Sequence, residues 1–329
     1  MTTKLSLITM PEVVINEILE YLDFLDLQKL RQVCKYFINF IDNVKSKSPL
    51  KDISISIFNE KITMDYFSIH ALPMKVSYEK SGNHDQDCLI TSKIEYDEER
   101  QKILTNSNFF EIFQRDLEIV LMQQKSLFRV LRFIRGKNSL NFEKILEIFP
   151  SHLLKVEEFH FYFKENEEEI SQFLNVLDPK TIISISIYPC EGCSKVLRIE
   201  EILELKHWKN SEQLITSDIT LQVELKNLAH FSLVESNINT VTARGIVDLK
   251  QKLLNSSLFA IIALKYVNFE DQEKFLESMG PPFENFWFFN MQHPDSEDVL
   301  RIYHDSQKSE LEFKRIRRSD IPDHARIQK

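Results

Sequence analysis

Five glycines are all that this chain of 329 residues contains, Gly82, Gly136, Gly192, Gly245 and Gly280, and no two lie within thirty residues of one another. A loop that wraps its backbone around a phosphate needs clustered glycines, because any side chain blocks the close approach. The spacing therefore excludes a P-loop, the dinucleotide-binding fingerprint and a G-x-S-x-G nucleophile turn. Charge excludes a second class of partner. With 41 basic and 50 acidic side chains the net charge is −9, and a surface of that sign repels a phosphate backbone, so no nucleic-acid partner is expected.

The acid is unevenly placed. Residues 1–48 balance six basic against six acidic groups, residues 49–299 carry 27 against 39, and residues 300–329 carry 8 against 5. The longest uncharged stretch, Leu253–Leu264, has twelve residues, short of the roughly 18 a membrane span needs, so no membrane partner is expected. The start of the chain is too polar for a signal-peptide core. Four cysteines in this length do not make a disulfide framework, which points to a reduced, intracellular and cytoplasmic protein.

The first 48 residues carry helical spacing throughout. Thr9-Met10-Pro11-Glu12 fits a Thr-x-x-Glu capping box with an early proline. Val14, Ile15, Ile18, Leu19 and Leu22 then make a broad apolar stripe over a helix running to about Leu22. Asp23 reads as the next N-cap. Leu27, Leu30, Val33, Cys34 and Phe37 repeat the spacing, and Phe40, Ile41 and Val44 follow before Lys45-Ser46-Lys47-Ser48-Pro49 ends the pattern. Three short helices bury little surface. Their apolar faces either pack on each other and on the next domain of the chain, or wait for a partner, and periodicity leaves both readings open.

After Pro49 strand-like runs alternate with helical ones. A spacing of apolar, two residues, apolar, one residue, apolar occurs at Leu50-Ile53-Ile55, Phe128-Leu131-Phe133, Val156-Phe159-Phe161, Ile182-Ile185-Ile187, Leu228-Phe231-Leu233, Leu258-Ile261-Ala263 and Phe283-Phe286-Phe288. At 43% hydrophobic residues such triplets match by chance at about 8% of starting points, so the alternation matters more than the count. Helical stripes lie between them, at Phe110-Phe113-Leu117-Leu121, Phe142-Ile145-Leu146-Phe149, Ile170-Phe173-Leu174-Leu177 and Ile246-Leu249-Leu253. The wide gap from Ile182 to Leu228 leaves room for a further unit around Ile199–Thr216. Recurrent β-α units predict a leucine-rich-repeat-like α/β solenoid. Its usual Asn or Cys turn position falls on Gly136, Lys164, Cys190, Ser236, Tyr266 and Met291. An Asn ladder is therefore excluded, and those turns must be satisfied in another way. Residues 62–92 read instead as a small antiparallel meander.

Candidate chemistry is sparse. Cys190-Glu191-Gly192-Cys193 has redox or zinc spacing, but no second Cys pair accompanies it and His207 stands alone, so a loop is the better reading. His293-Pro294-Asp295, a co-chaperone tripeptide, reads as a turn. His84, Asp85 and Asp87 read as a solvated turn rather than a cation site. Glu165–Glu169 reads as a helix N-terminus favoured by the dipole. Lys314-Arg315-Ile316-Arg317-Arg318 reads as a solvated basic tail that could also serve nuclear import. No catalytic residue, metal ligand or cofactor is expected. Two aromatic runs, Phe159–Phe163 and Phe283–Phe289, place rings on both faces of a strand, and Tyr162 and Trp287 are the candidates for a recognition patch.

The run Met10-Pro11-Glu12-Val13-Val14, then Glu17-Ile18-Leu19-x-Tyr21-Leu22-Asp23-x-x-Asp26-Leu27-x-x-Leu30-Arg31-x-Val33-Cys34-Lys35-x-Phe37, resembles an F-box without a gap. Met10 stands where the family prefers Leu, and Val13 where it prefers Glu. The resemblance implies a three-helix domain that docks on a Skp1-type adaptor and through it on a cullin-RING scaffold. It implies adaptor-facing roles for Met10, Pro11, Val14, Ile18, Leu22, Leu30, Val33 and Cys34. Together with Lys206-His207-Trp208-Lys209-Asn210-Ser211 and Leu254-Asn255-Ser256-Ser257, the order of elements resembles the nematode F-box proteins with a C-terminal FTH domain. The implied organisation is an F-box over 1–48, a connecting strand region over 49–95, a target-recruiting domain over 96–313 and a basic tail over 314–329. The implied function is a non-enzymatic substrate receptor of an SCF-type ubiquitin ligase holding an unknown protein target. A scaffold or decoy that binds the adaptor without ubiquitination is the alternative.

Overall fold

The computed structural model describes residues 6–22, 24–43, 50–68, 72–81, 87–124, 127–136, 142–149, 153–163, 167–190, 196–292 and 297–328. Asp23, Val44, Cys193, His84, Asp85 and His293-Pro294-Asp295 lie outside them. The chain divides into two compact units, residues 1–157 with 176–181, and residues 158–175 with 182–329.

The first unit opens with a 3-10 turn, Leu7–Thr9, then α1 (Glu12–Glu20), α2 (Phe24–Arg31) and α3 (Lys35–Asn43). Thr9 does not cap α1 as its spacing predicts. Its hydroxyl donates to the Ser6 carbonyl at 2.7 Å and closes the 3-10 turn, and Pro11 takes the cap position without a side-chain bond. The expected three-helix bundle is not formed. Helices of eight or nine residues turn too little apolar surface inward, and what they share is a small cluster of Ile15, Leu19, Leu27, Phe37 and Ile41.

Five strands follow as an antiparallel meander: β1 (Leu50–Ile57), β2 (Lys61–Ser68), β3 (Met74–Lys80), β4 (Cys88–Ile94) and β5 (Arg100–Leu104). β5 ends the sheet and is exposed along most of its length. The chain returns through α4 (Phe109–Gln123), whose cap Asn108 accepts from the Phe110 and Glu111 amides. Phe113, Leu117 and Leu121 are buried, and Phe113 meets Tyr78 of β3 edge-on at 5.9 Å. β6 (Phe128–Arg135) then pairs parallel with β1. Phe142 of α5 (Phe142–Leu146) packs on Phe133 of β6.

The second unit takes up β7 (Val156–Phe163) from Glu158 on, then α6 (Glu167–Leu174), β8 (Ser184–Pro189), β9 (Val196–Arg198), α7 (Glu200–Glu204), α8 (Lys206–Asn210), β10 (Gln213–Gln222), β11 (Leu233–Thr242), α9 (Ala243–Leu254), β12 (Ile261–Glu270) and α10 (Gln272–Met279). β13 (Phe286–Asn290), β14 (Asp298–Asp305), β15 (Glu310–Arg317) and β16 (Ile327–Gln328) complete it. β7, β8, β10, β11 and β12 are parallel neighbours, and β9 adds parallel to β10.

The solenoid expectation is overturned. In each unit the described strands form a mixed sheet of parallel and antiparallel pairs, some between strands far apart in sequence. A solenoid repeat meets only its neighbours along the chain, whereas β12 pairs antiparallel with β15 past two intervening strands, β1 pairs with β6 past four, and β13 takes β16 as a parallel neighbour. The repeat spacing also misreads β13. Phe159, Phe161, Ile185 and Ile187 do face the helices, with Phe173 of α6 stacked 5.2 Å from Phe159. In β13 the side chains on that face are Trp287, against Phe275 of α10, and Phe289, beneath the Lys250 ammonium of α9. Phe286 and Phe288 lie on the opposite face, because this strand is set by its antiparallel partner β14.

Backbone bonds at the strand starts stand in for the missing Asn ladder. The Gln213 amide donates to Ile183, Leu233 to Glu212 and Ile261 to Ser232, each at the carboxyl side of the preceding loop. At Ser236, the one position where a small polar residue holds the turn place, the hydroxyl meets that of Thr216 at 2.7 Å inside the protein. Trp208 fills the core beside Phe231, its carbonyl bonded to the ring of His230 at 2.8 Å, while the Ser211 hydroxyl closes the same turn on His207.

Buried His304 of β14 meets the Tyr266 hydroxyl of β12 at 2.9 Å. Burial lowers its pKa below the ordinary 6.5, against a smaller upward pull from Asp305. The folded state thus holds the ring neutral at a pH where the unfolded chain takes up a proton, so stability falls as pH drops from about 6.5 toward the lowered value. Thermal unfolding at pH 7.5 and 5.5 should show a lower midpoint in acid, and His304→Gln should shrink that difference.

Candidate interaction surface

Three helices with a small core divide their apolar residues in two. Ile15, Leu19, Leu27, Phe37 and Ile41 are buried. Val14 is 42% exposed and Val33 65%, and Pro11 is exposed beside them. Met10, Ile18, Leu22, Leu30 and Cys34 are half-buried, and all of these but Ile18 pack against the cluster from outside. None of the eight residues singled out by the F-box motif is in the buried cluster. The helix periodicity alone could not make that split, because buried and surface positions share one stripe, Ile15 next to Val14 and Leu19 next to Ile18.

Tyr21, 82% exposed, stands at the end of α1 and extends this surface. Lys29 of α2 is paired with Asp26 at 2.8 Å, both largely in solvent, and Glu12, Glu17 and Lys35 are exposed on the same helices. An exposed pair of this kind contributes little to stability. Fully burying one such aliphatic or aromatic side chain is worth about 1.5–3 kcal/mol.

The aromatic candidates in the second unit part company. Tyr162 is half-buried on the face of β7 away from the helices, stacked on Tyr188 of β8 at 4.7 Å, with His160 and Glu158 along the same strand face. Trp287 is 2% exposed, its ring edge-on to Phe275 and its indole N–H donating to the Gly280 carbonyl at 2.8 Å. It is built into the core, and the two rings do not form one patch.

The remaining motifs resolve simply. Cys190 is half-buried, and its amide donates to the Phe163 carbonyl as β8 ends. Among the described residues no group of three or more His, Cys, Asp or Glu is placed to hold a metal ion, and no helix is long and apolar enough to cross a membrane. Glu167, Glu168 and Glu169 occupy the first turn of α6. The basic run at Lys314 is strand rather than tail: β15 reaches Arg317, and Arg315 is bonded to Asp298 at 2.7 Å and to the Ser257 carbonyl at 2.8 Å.

One buried polar pair escapes the sequence reading. Asp116 sits on α4 between the core residues Phe113 and Leu117 and accepts the Tyr78 hydroxyl at 3.0 Å. Burial raises its pKa, with Tyr78 and Arg115 pulling the other way. A carboxylate one helical step from a core stripe was the available signal.

Residues 7–49 match the F-box domain family, and residues 139–281 match the FTH domain. No curated protein and no solved structure matches the chain. The F-box match covers the whole helical segment with its exposed Val14 and Val33, and the FTH match runs from the end of the first unit through α10. The chain is a protein with an F-box domain followed by an FTH domain.

Proposed function

We propose that this protein is the substrate-recognition subunit of an SCF-type E3 ubiquitin ligase, its F-box bound to a Skp1-type adaptor and its C-terminal domain bound to a target protein. The observation that carries the reading is the division within the F-box segment. Leu19, Leu27 and Phe37 of the motif form the buried cluster with Ile15 and Ile41, whereas the eight residues with implied adaptor-facing roles lie outside it, with Val14 and Val33 in solvent. An apolar helical surface of this kind is unfavourable in water and favours a partner with a matching groove. Through the adaptor the protein would join a cullin-RING scaffold, and it would work in the cytoplasm or nucleus.

In this role the protein supplies no nucleophile. It raises the local concentration of a lysine-bearing target near the charged conjugating enzyme, so the rate gain is one of proximity. Tyr162, half-buried and stacked on Tyr188 on the strand face opposite Phe159 and Phe161, is the contact proposed for the target. Trp287, held inside by its bond to Gly280, would act by supporting the fold beneath β13.

Co-purification with a Skp1-type adaptor at physiological salt tests the first half. Val14→Asp and Val33→Asp should each cut adaptor recovery at least tenfold while leaving thermal unfolding unchanged, because both sites are in solvent. Ile15→Asp should lose adaptor binding and folding together, since it places a charge in the cluster. Adaptor recovery that survives both surface substitutions rejects the reading. For the second half, a photo-cross-linking residue at position 162 should trap another polypeptide in cells, and the same residue at position 287 should yield intramolecular product.

A further inference from the structure

The sheet face formed by β2, β3 and β4 is not fully covered by α4. Between that face, α4 and the α2–α3 segment lies a cavity of about 600 Å³. Tyr66, Val76, Tyr78, Ile90, Ile119 and Val120 form an apolar part of its wall, and polar and charged side chains line the rest. Lys29, Arg31, Gln32 and Ile38 of the F-box segment close one side. Sites of roughly 300–1,000 Å³ with apolar walls and a few convergent polar groups are typical of small-ligand binding.

The charges at the cavity select the ligand. Lys29, Arg31, Arg100 and Arg115 line it together with Asp97, Glu98 and Asp116, and Arg100 is paired with Asp97 at 3.5 Å, Arg115 with Asp116 at 3.6 Å and Lys29 with the nearby Asp26 at 2.8 Å. Matched pairs leave neither sign with a clear advantage, so an ionic ligand would gain little at the mouth and lose its hydration inside. Among these groups Asp116 is the one set deepest, half-buried at the α4 wall, where one of its oxygens accepts the Tyr78 hydroxyl at 3.0 Å. A carboxylate offers about four lone-pair sites, so it can take a further hydrogen bond from a donor lying in the cavity.

We propose that this cavity binds an uncharged, largely apolar small molecule with a cyclic body and one O–H or N–H group, its rings against Val76, Ile90 and Ile119 and its donor on Asp116. The body occupies the gap between the meander and α4. Because F-box residues form one side, the bound molecule also ties the F-box segment to the meander within the first unit. The site is independent of the adaptor-binding reading, and its test uses no adaptor.

N-phenyl-1-naphthylamine is a suitable probe, being neutral, polycyclic, carrying a single N–H and fluorescing in apolar surroundings. Titrated into the full chain, it should give saturable one-to-one binding. Its N-methylated analogue, which lacks the donor, and 8-anilino-1-naphthalenesulfonate, which adds a charge, should each bind about tenfold more weakly, the loss expected of one net hydrogen bond to a charged acceptor or of burying an unmatched ion. Ile90→Trp, which fills the cavity, should abolish the signal, while Ile103→Trp on exposed β5 should keep it, both with circular dichroism spectra like the parent's. Absence of saturable binding by the folded chain overturns the proposal. So does equal affinity for either modified probe, or binding unchanged in a folded Ile90→Trp variant. The two probe comparisons use the unaltered protein, so they decide the matter even if Ile90→Trp fails to fold.

Discussion

Strand β12 carries two kinds of hydrogen-bond ladder. On one edge it runs parallel to β11 from Ile261 to Glu270, and on the other it runs antiparallel to β15 from Ile261 to Lys265. Parallel strands need a crossover through a helix, and antiparallel ones can follow a tight turn. The change of partner at β12 ends the series of parallel neighbours, and β13, β14 and β15 follow as an antiparallel arrangement that returns to β12. It also decides which residues of β13 face the helices. Trp287 and Phe289 pack on the helix side, and Phe288, also buried, lies with Phe286 on the opposite face. The same constraint explains why the basic run at Lys314 is ordered: β15 pairs with β12 as far as Lys314 and with β14 as far as Arg317.

In the F-box segment the governing quantity is helix length. Eight or nine residues give about two turns and a half, so each helix can commit one or two large side chains inward and must leave its neighbours at the surface. Ile15 and Leu19 go in, while Val14 and Ile18 do not. An exposed apolar surface is thus a by-product of a core that is too small to hide all the apolar residues the helices carry. Longer helices with the same composition would bury more of them and present less.

Local pattern was the legible part of this protein. Helices at Val14–Leu19, Phe113–Leu121 and Ile246–Leu253, the meander near Ile62–Thr91, and the parallel strands at Phe159 and Ile185 follow from spacing that the side chains need to reach a core, whereas the triplet at Leu228, Phe231 and Leu233 lies before and at the start of β11 rather than along it. The F-box motif was legible because it fixes many residues at once over a gapless stretch. Spacing does not encode which strand lies beside which. Ile261 has the same apolar pattern whether its second neighbour is another repeat or β15, so the solenoid and the mixed sheet read alike until pairing is known. The split between Val14 and Ile15 is hidden for a related reason, since adjacent residues of one stripe differ in burial only after the other helices take their places. Asp116 was passed over because a single acid in an amphipathic helix looks like a solvated one.

β5 closes one side of the meander with Arg100 and Lys102 along a strand that is mostly in solvent. A bare sheet edge is a template on which another copy can add its own strand, and lysine or arginine at the rim is a common way of discouraging it. The charges on β5 would have to be stripped of water and brought against like charges if two copies paired there in antiparallel register. The protein can therefore keep an apolar helical face open for a partner at one place while its sheet margin resists growing into a fibril at another, which separates recognition from self-association by chemistry rather than by distance.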